Sequence, residues 1–137
     1  MVEISGIYEG EKHCQLTHGP SKNQIHTDAP KDNNGKGEAF SPTDLMGAAL
    51  GSCILTTMAI YAENHDINLV GSRFKVIKDM ASNPRRIASL TVEVYLPQHL
   101  ADKDREVLER IGNNCPVKVS LHPDVNVPVN YIYQNLF

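Results

Sequence analysis

Cysteines stand at positions 14, 53 and 115 of this 137-residue chain, and their settings differ. Cys53 lies inside the apolar run LMGAALGSCILTTMAIYAENH, residues 45–65. At helical spacing it shares a face with Ala49, Thr56 and Thr57. The small residues Gly47, Ala48, Ala49, Gly51 and Ser52 around it let another backbone approach closely, or leave room for a ligand. Taken alone, Cys53 reads as a buried cysteine acting as a small hydrophobe. Cys115 alters that reading. The string Asn113-Asn114-Cys115-Pro116 predicts a helix start with one of the asparagines as cap. The positive end of a helix favours a thiolate and lowers a thiol pKa. A mid-helix thiol and a helix-start thiol make a candidate peroxidatic and resolving pair, because a sulfenic acid formed on one sulfur condenses with a nearby thiol.

Cys14 falls in an alternating stretch beside His13 and reads as a strand residue. His13, Cys14 and His18 form an H-C-x-x-x-H string. A metal centre needs three or four converging ligands, and this string does not supply them. No metal and no cofactor is expected. His26, His65, His99 and His122 are scattered and read as surface or loop residues. No Ser-His-Asp order, phosphate loop or G-x-G-x-x-G motif occurs.

The elements that must position these thiols follow from periodicity. Residues 1–28 read as short strands, with a turn at Gly10-Glu11-Lys12. Residues 29–40 are loop by composition. Ser41-Pro42-Thr43-Asp44 is a helix start, with Ser41 as cap, Pro42 in the first turn and Asp44 closing an S-x-x-D box. The helix should reach about Asn64. A strand is expected over 72–80, with Phe74 and Val76 on one face. After the turn Ser82–Arg86, a second strand over 89–96 turns Leu90, Val92, Val94 and Leu96 to one side, which implies an antiparallel hairpin. Residues 100–112 form an amphipathic helix with Leu100, Val107, Leu108 and Ile111 as its stripe and Gly112 as its stop. A short helix to about Leu121 and a last strand over 125–133 complete the chain, and Pro128 predicts an edge position or a bulge. The order is that of a single α+β domain over residues 1–137.

Composition bounds the partners. The chain carries 13 Lys and Arg against 16 Asp and Glu, a net charge of −3, and no arginine precedes Arg73. No basic excess is available to hold phosphates, so neither a nucleic acid nor an anionic membrane is an expected partner. Three cysteines do not make a disulfide framework. The N-terminus shows no basic region followed by an apolar stretch. Gly, Ser and Thr interrupt the apolar run at 45–62, which therefore reads as a buried helix, and a reducing cytoplasm is the expected compartment.

The strings NNGKGEAFSPTDL, SPTDLMGAALGSCILTTMA and, some sixty positions on, NNCPVKVSL resemble the OsmC/Ohr family of osmotically inducible and organic hydroperoxide resistance proteins. The resemblance spans nearly the whole chain and places it in a less characterised OsmC-like branch. It implies an OsmC-like fold, with antiparallel sheets wrapped around long central helices in an intertwined homodimer. It implies a thiol peroxidase acting on organic hydroperoxides, and less well on hydrogen peroxide, in oxidative stress defence. Cys53 would become the sulfenic acid, Cys115 would close a disulfide with it, and a dithiol reductant of lipoyl type would restore both. Glu38, Thr43 and Asp44 are the supporting candidates. The sequence departs from the best-studied branch, which carries glutamate where Thr43 stands and uses an N-terminal arginine absent here. That departure opens an alternative: a protein of the same fold, without strong peroxidase activity, that binds a small apolar or electrophilic ligand at the dimer interface.

Overall fold

The computed structural model describes residues 1–136. The chain divides into two compact units, Met1–Met46 and Gly47–Phe137.

The first unit is a three-stranded antiparallel sheet of β1 (Ile4–Gly10), β2 (His13–His18) and β3 (Gln24–Asp28), in the order β1-β2-β3. The tight turn between β1 and β2 is made by Gly10, Glu11 and Lys12, all at positive φ. The β1–β2 register shifts between Tyr8 and Gly10. The loop after β3 leads to the first turn of α1 (Pro42–Glu63). There the expected box is closed in both directions. The Ser41 N–H donates to the Asp44 carboxylate at 2.9 Å, and the Asp44 N–H donates to Ser41 Oγ at 3.1 Å.

The second unit carries the core. Strands β4 (Arg73–Ala81) and β5 (Arg86–Pro97) pair antiparallel as expected, while β6 (Val129–Gln134) runs parallel to β5 at the sheet edge. Pro128 stands just ahead of β6, and its carbonyl accepts from the Val92 N–H at 2.9 Å. A parallel neighbour needs a long crossover. Here α2 (Asp102–Gly112) and α3 (Pro116–Ser120) supply it. Leu90, Val92, Val94 and Leu96 of β5 are all fully buried, together with Leu50, Ile54, Met58 and Ala62 of α1, Leu108 of α2, and Cys115.

The small residues of α1 have a steric cause. A Cβ at Gly51 would lie 2.2 Å from the Phe74 ring, and one at Gly47 would lie 3.3 Å from Val76. These glycines, one helical turn apart, let α1 lie directly on β4. Helix α1 is also apolar enough, by length and composition alone, to cross a membrane: its best window has a mean hydropathy of 1.6 over a helix of 22 residues. The Gly, Ser and Thr residues therefore interrupt its apolarity less than the sequence reading holds. Six of its residues are buried within the protein, as in the core helix of a folded domain.

Gly112 differs from expectation in its reason. It ends α2, but it is not among the glycines at positive φ. A Cβ there would meet the Tyr131 hydroxyl at 2.7 Å, Ile54 Cγ2 at 3.2 Å and Met58 Sδ at 3.3 Å. It is glycine because three side chains converge on it.

Candidate functional site

Cys53 sits in the middle of α1 on a face that is partly open, and its sulfur lies 3.8 Å from the Thr57 hydroxyl one turn on. Cys115 is fully buried. The two thiols, 62 positions apart, are direct neighbours, and the Cys53 side chain acts on the Cys115 sulfur. All three cysteines are free thiols. Cys14 stays on β2, opposite Tyr8 and Thr27.

The helix start at Cys115 is built differently from the sequence expectation. Cys115 is itself the cap residue of α3, in extended backbone conformation. Both asparagines serve the end of α2 instead. The Asn113 N–H donates to the Glu109 carbonyl at 2.9 Å, and the Asn114 side-chain amide donates to the Arg110 carbonyl at 2.8 Å. The expected lowering of the Cys115 pKa does not win. Burial pushes the thiol up, and the neighbouring Cys53 adds to that. The Lys118 and Val117 amides beside the sulfur pull it down, but they form no capping hydrogen bond. A five-residue helix has few aligned dipoles, whereas desolvation of a buried thiolate is large.

That balance makes a prediction. In the native protein Cys115 should react with iodoacetamide more slowly than Cys53, and it should catch up only as pH rises above the ordinary thiol range. Mass-spectrometric labelling at stepped pH reads this. Equal rates at neutral pH would show that burial does not control Cys115.

A polar frame holds the chain that carries Cys115. The Tyr131 hydroxyl donates to Asn113 Oδ1 at 2.8 Å and contacts the Glu109 carbonyl at 3.2 Å. The Tyr133 hydroxyl donates to the Glu109 carboxylate at 2.7 Å, and Arg105 lies over the Tyr133 ring at 4.0 Å. Burial pushes both phenols well above their ordinary value, with the Glu109 charge adding to it. These tyrosines are neutral donors that fix the end of α2, and through it the start of α3. Sequence periodicity marks them only as alternate residues of a strand.

The supporting candidates lie in the first unit. Asp44 is engaged in the capping box, and Thr43 Oγ1 lies 3.2 Å from Ser41 Oγ. Glu38 offers its backbone N–H to Asp28 Oδ2 at 2.9 Å. His13 and His18 are not brought together. Five residues apart on a strand, they point to opposite faces, and His18 Nδ1 pairs with Ser21 Oγ at 2.6 Å. Two open clefts of about 370 and 330 Å³ occur in the second unit, and neither is lined by Cys53 or Cys115.

Comparison with known proteins settles the family. The model of the family described as OsmC-like protein matches residues 35–130. The chain belongs to the OsmC-like family. A crystal structure of a Psychrobacter arcticus protein, provisionally described as an osmotic stress induced and detoxification response protein, is 40% identical. The match covers 96% of each chain with a TM-score of 0.91. An organic hydroperoxide resistance protein from Legionella pneumophila shares the fold at 15% identity, 96% coverage of each chain and a TM-score of 0.77. One from Elizabethkingia anophelis does so at 10% identity, covering 98% of this chain and 96% of its own, with a TM-score of 0.78. Among curated proteins, none matches this sequence. In this OsmC-like protein, GKGEAFSPTDL (Gly35 to Leu45), the Cys53 helix and NNCP all fall inside the matched stretch.

Proposed function

We propose that this OsmC-like protein is a thiol-dependent peroxidase that reduces organic hydroperoxides, and hydrogen peroxide less well, in oxidative stress defence. One observation carries the reading: the partly open Cys53 thiol and the buried Cys115 thiol are direct neighbours. Relatives of the same fold named as organic hydroperoxide resistance proteins support it.

The roles follow from exposure. The Cys53 thiolate attacks the distal oxygen of ROOH. The O–O bond breaks, the alkoxide takes a proton and leaves as ROH, and Cys53 becomes a sulfenic acid. Cys115 then gives up its proton and attacks the Cys53 sulfur, displacing the hydroxyl, which leaves as water, and the disulfide forms. A dithiol of lipoyl type takes the disulfide back to two thiols and is itself oxidised. Because burial keeps Cys115 protonated, peroxide meets Cys53 first.

The homodimer belongs to the same proposal. Exposed apolar side chains support it: Ile60 on α1 at 66%, Ile77 on β4 at 51%, and Ile4 and Ile7 on β1 at 70% and 65%. Isolated exposed apolar residues are ordinary, and the dimer rests first on what the family resemblance implies. A cytoplasmic location, where thiols stay reduced, fits the cycle.

The experiment is to mix the reduced protein with one equivalent of an organic hydroperoxide or of hydrogen peroxide, then map oxidised cysteines by peptide mass spectrometry. A rapid Cys53–Cys115 disulfide, faster with the organic substrate, is expected. A wild-type protein that consumes peroxide no faster than free thiol would favour the second reading, a ligand-binding protein of the same fold. The specific observation behind that reading is Thr43 in place of a glutamate, in a chain with no arginine before Arg73.

A further inference from the structure

Three potential metal ligands converge on one face of the β1–β2–β3 sheet, within the first unit. His13 Nε2 lies 3.1 Å from His26 Nδ1 and 3.6 Å from Glu9 Oε1, and His26 Nδ1 lies 3.7 Å from the same oxygen. These atoms come from three strands. His26 faces Gln15 in the β2–β3 register, which sets it diagonal to His13. Glu9 occupies the point where the β1–β2 register shifts, and such an irregularity re-aims a side chain.

The dimensions fit an ion. A circle through three points 3.1, 3.6 and 3.7 Å apart has a radius of about 2.0 Å. Zinc bonds to histidine nitrogen and carboxylate oxygen span roughly 2.0–2.2 Å. An ion slightly out of the plane of the three atoms therefore reaches all of them without backbone movement, and it leaves a fourth position open to water.

The next shell fits as well. His13 Nδ1 lies 2.6 Å from Oδ1 of Asp28, a carboxylate only 3% exposed whose other oxygen accepts the Glu38 N–H at 2.9 Å. A carboxylate oxygen only accepts, so in this 2.6 Å contact Asp28 accepts and Nδ1 donates. A neutral His13 held this way has its lone pair on Nε2, the ring nitrogen next to His26 and Glu9. A carboxylate behind a histidine ligand is the ordinary support of a metal site.

We propose that Glu9, His13 and His26 bind one divalent transition-metal ion of the zinc class, with Asp28 as the positioning residue behind His13. The ion ties β1, β2 and β3 together on this face and keeps one coordination position for water or an anionic donor. The site shares no residue with the thiol pair and does not depend on the peroxidase reading. The nitrogen and oxygen donors select a borderline ion rather than calcium or magnesium.

The test uses the full chain, kept reduced with a phosphine and stripped with a chelator. It is titrated with Co²⁺ and with Zn²⁺ by calorimetry and visible absorption. One ion per chain is expected, with cobalt d–d bands, no sulfur-to-cobalt charge-transfer band, and displacement of cobalt by zinc. His26→Gln and Glu9→Gln, each checked for an unchanged metal-free melt, should weaken binding by at least ~10-fold. Imidazole NMR of the wild-type protein gives an independent readout, in which zinc should shift the His13 and His26 ring resonances. No saturable uptake, a sulfur-to-cobalt band, undiminished binding in both variants, or unmoved His13 and His26 resonances would each overturn the proposal.

Discussion

Replacing Cys53 by serine is expected to lower the consumption of an organic hydroperoxide by at least ~10³-fold, about 4 kcal/mol of transition-state stabilisation. A serine hydroxyl is not ionised near neutral pH and needs an adjacent general base to act as a nucleophile. The Thr57 hydroxyl, 3.8 Å from the present sulfur, is not a base. Cys115→Ser has a different signature. The first equivalent of peroxide is consumed at the wild-type rate, no disulfide forms, and a sulfenic acid persists on Cys53, where a dimedone adduct reports it. Peroxide assay, adduct mass and thermal melt together make the comparison. A Cys53→Ser protein that folds and still consumes peroxide at the wild-type rate would end the peroxidase reading.

Ile54→Ala should carry the largest cost in stability, about 3 kcal/mol, within the usual range for truncating a fully buried aliphatic residue. Ile54 has no exposure, and its Cγ2 lies in the group of atoms that converge on Gly112. Truncation opens a void between α1 and the end of α2, where neither helix can close in easily because Met58 and the Tyr131 hydroxyl hold the other sides. For a chain of this length the melting temperature should fall by on the order of 10 °C. The same void lies between α1, which carries Cys53, and the end of α2, three residues ahead of Cys115, so the Cys53–Cys115 disulfide should form more slowly in the variant. A loss under 1 kcal/mol in chemical denaturation would mean that this contact is not part of a tightly packed core.

The readable parts of the sequence were those governed by local rules. The S-x-x-D box, the alternation of Leu90, Val92, Val94 and Leu96, and the short loop between β4 and β5 each follow from residues a few positions apart, and the structure has them. The strings around Cys53 and Cys115 led to the family. What stayed hidden depends on register and burial. Cys115 was expected to gain acidity from a helix start, but the core around it reverses the balance. The sequence points to Asn113 or Asn114 as the cap of the following helix, because side-chain type cannot tell which of two adjacent helix ends it will serve. The Glu9, His13 and His26 group was missed for a similar reason. His13 and His18 are close in sequence but on opposite faces of β2, whereas the true neighbours are brought in by strand pairing and by the shift near Glu9. Tyr131 and Tyr133 found a shared partner in Glu109 across 22 and 24 positions, a distance over which periodicity says nothing.

The parallel pairing of β5 and β6 ties the redox chemistry to the order of folding. Non-local pairing closes late, because loop entropy must be spent before the contact repays it. Cys115 lies within the crossover between those strands, and its chain is steadied by Tyr131 of β6 through Asn113. A chain in which β6 has not yet paired lacks the Tyr131 bond that steadies the segment leading to Cys115. Peroxide reaching it at that stage meets a thiol whose sulfenic acid has no steadied trap, and the oxidation can run on to the irreversible sulfinic state. On the peroxidase reading proposed above, a newly made chain is more open to overoxidation than the finished one, and completion of the fold is its safeguard.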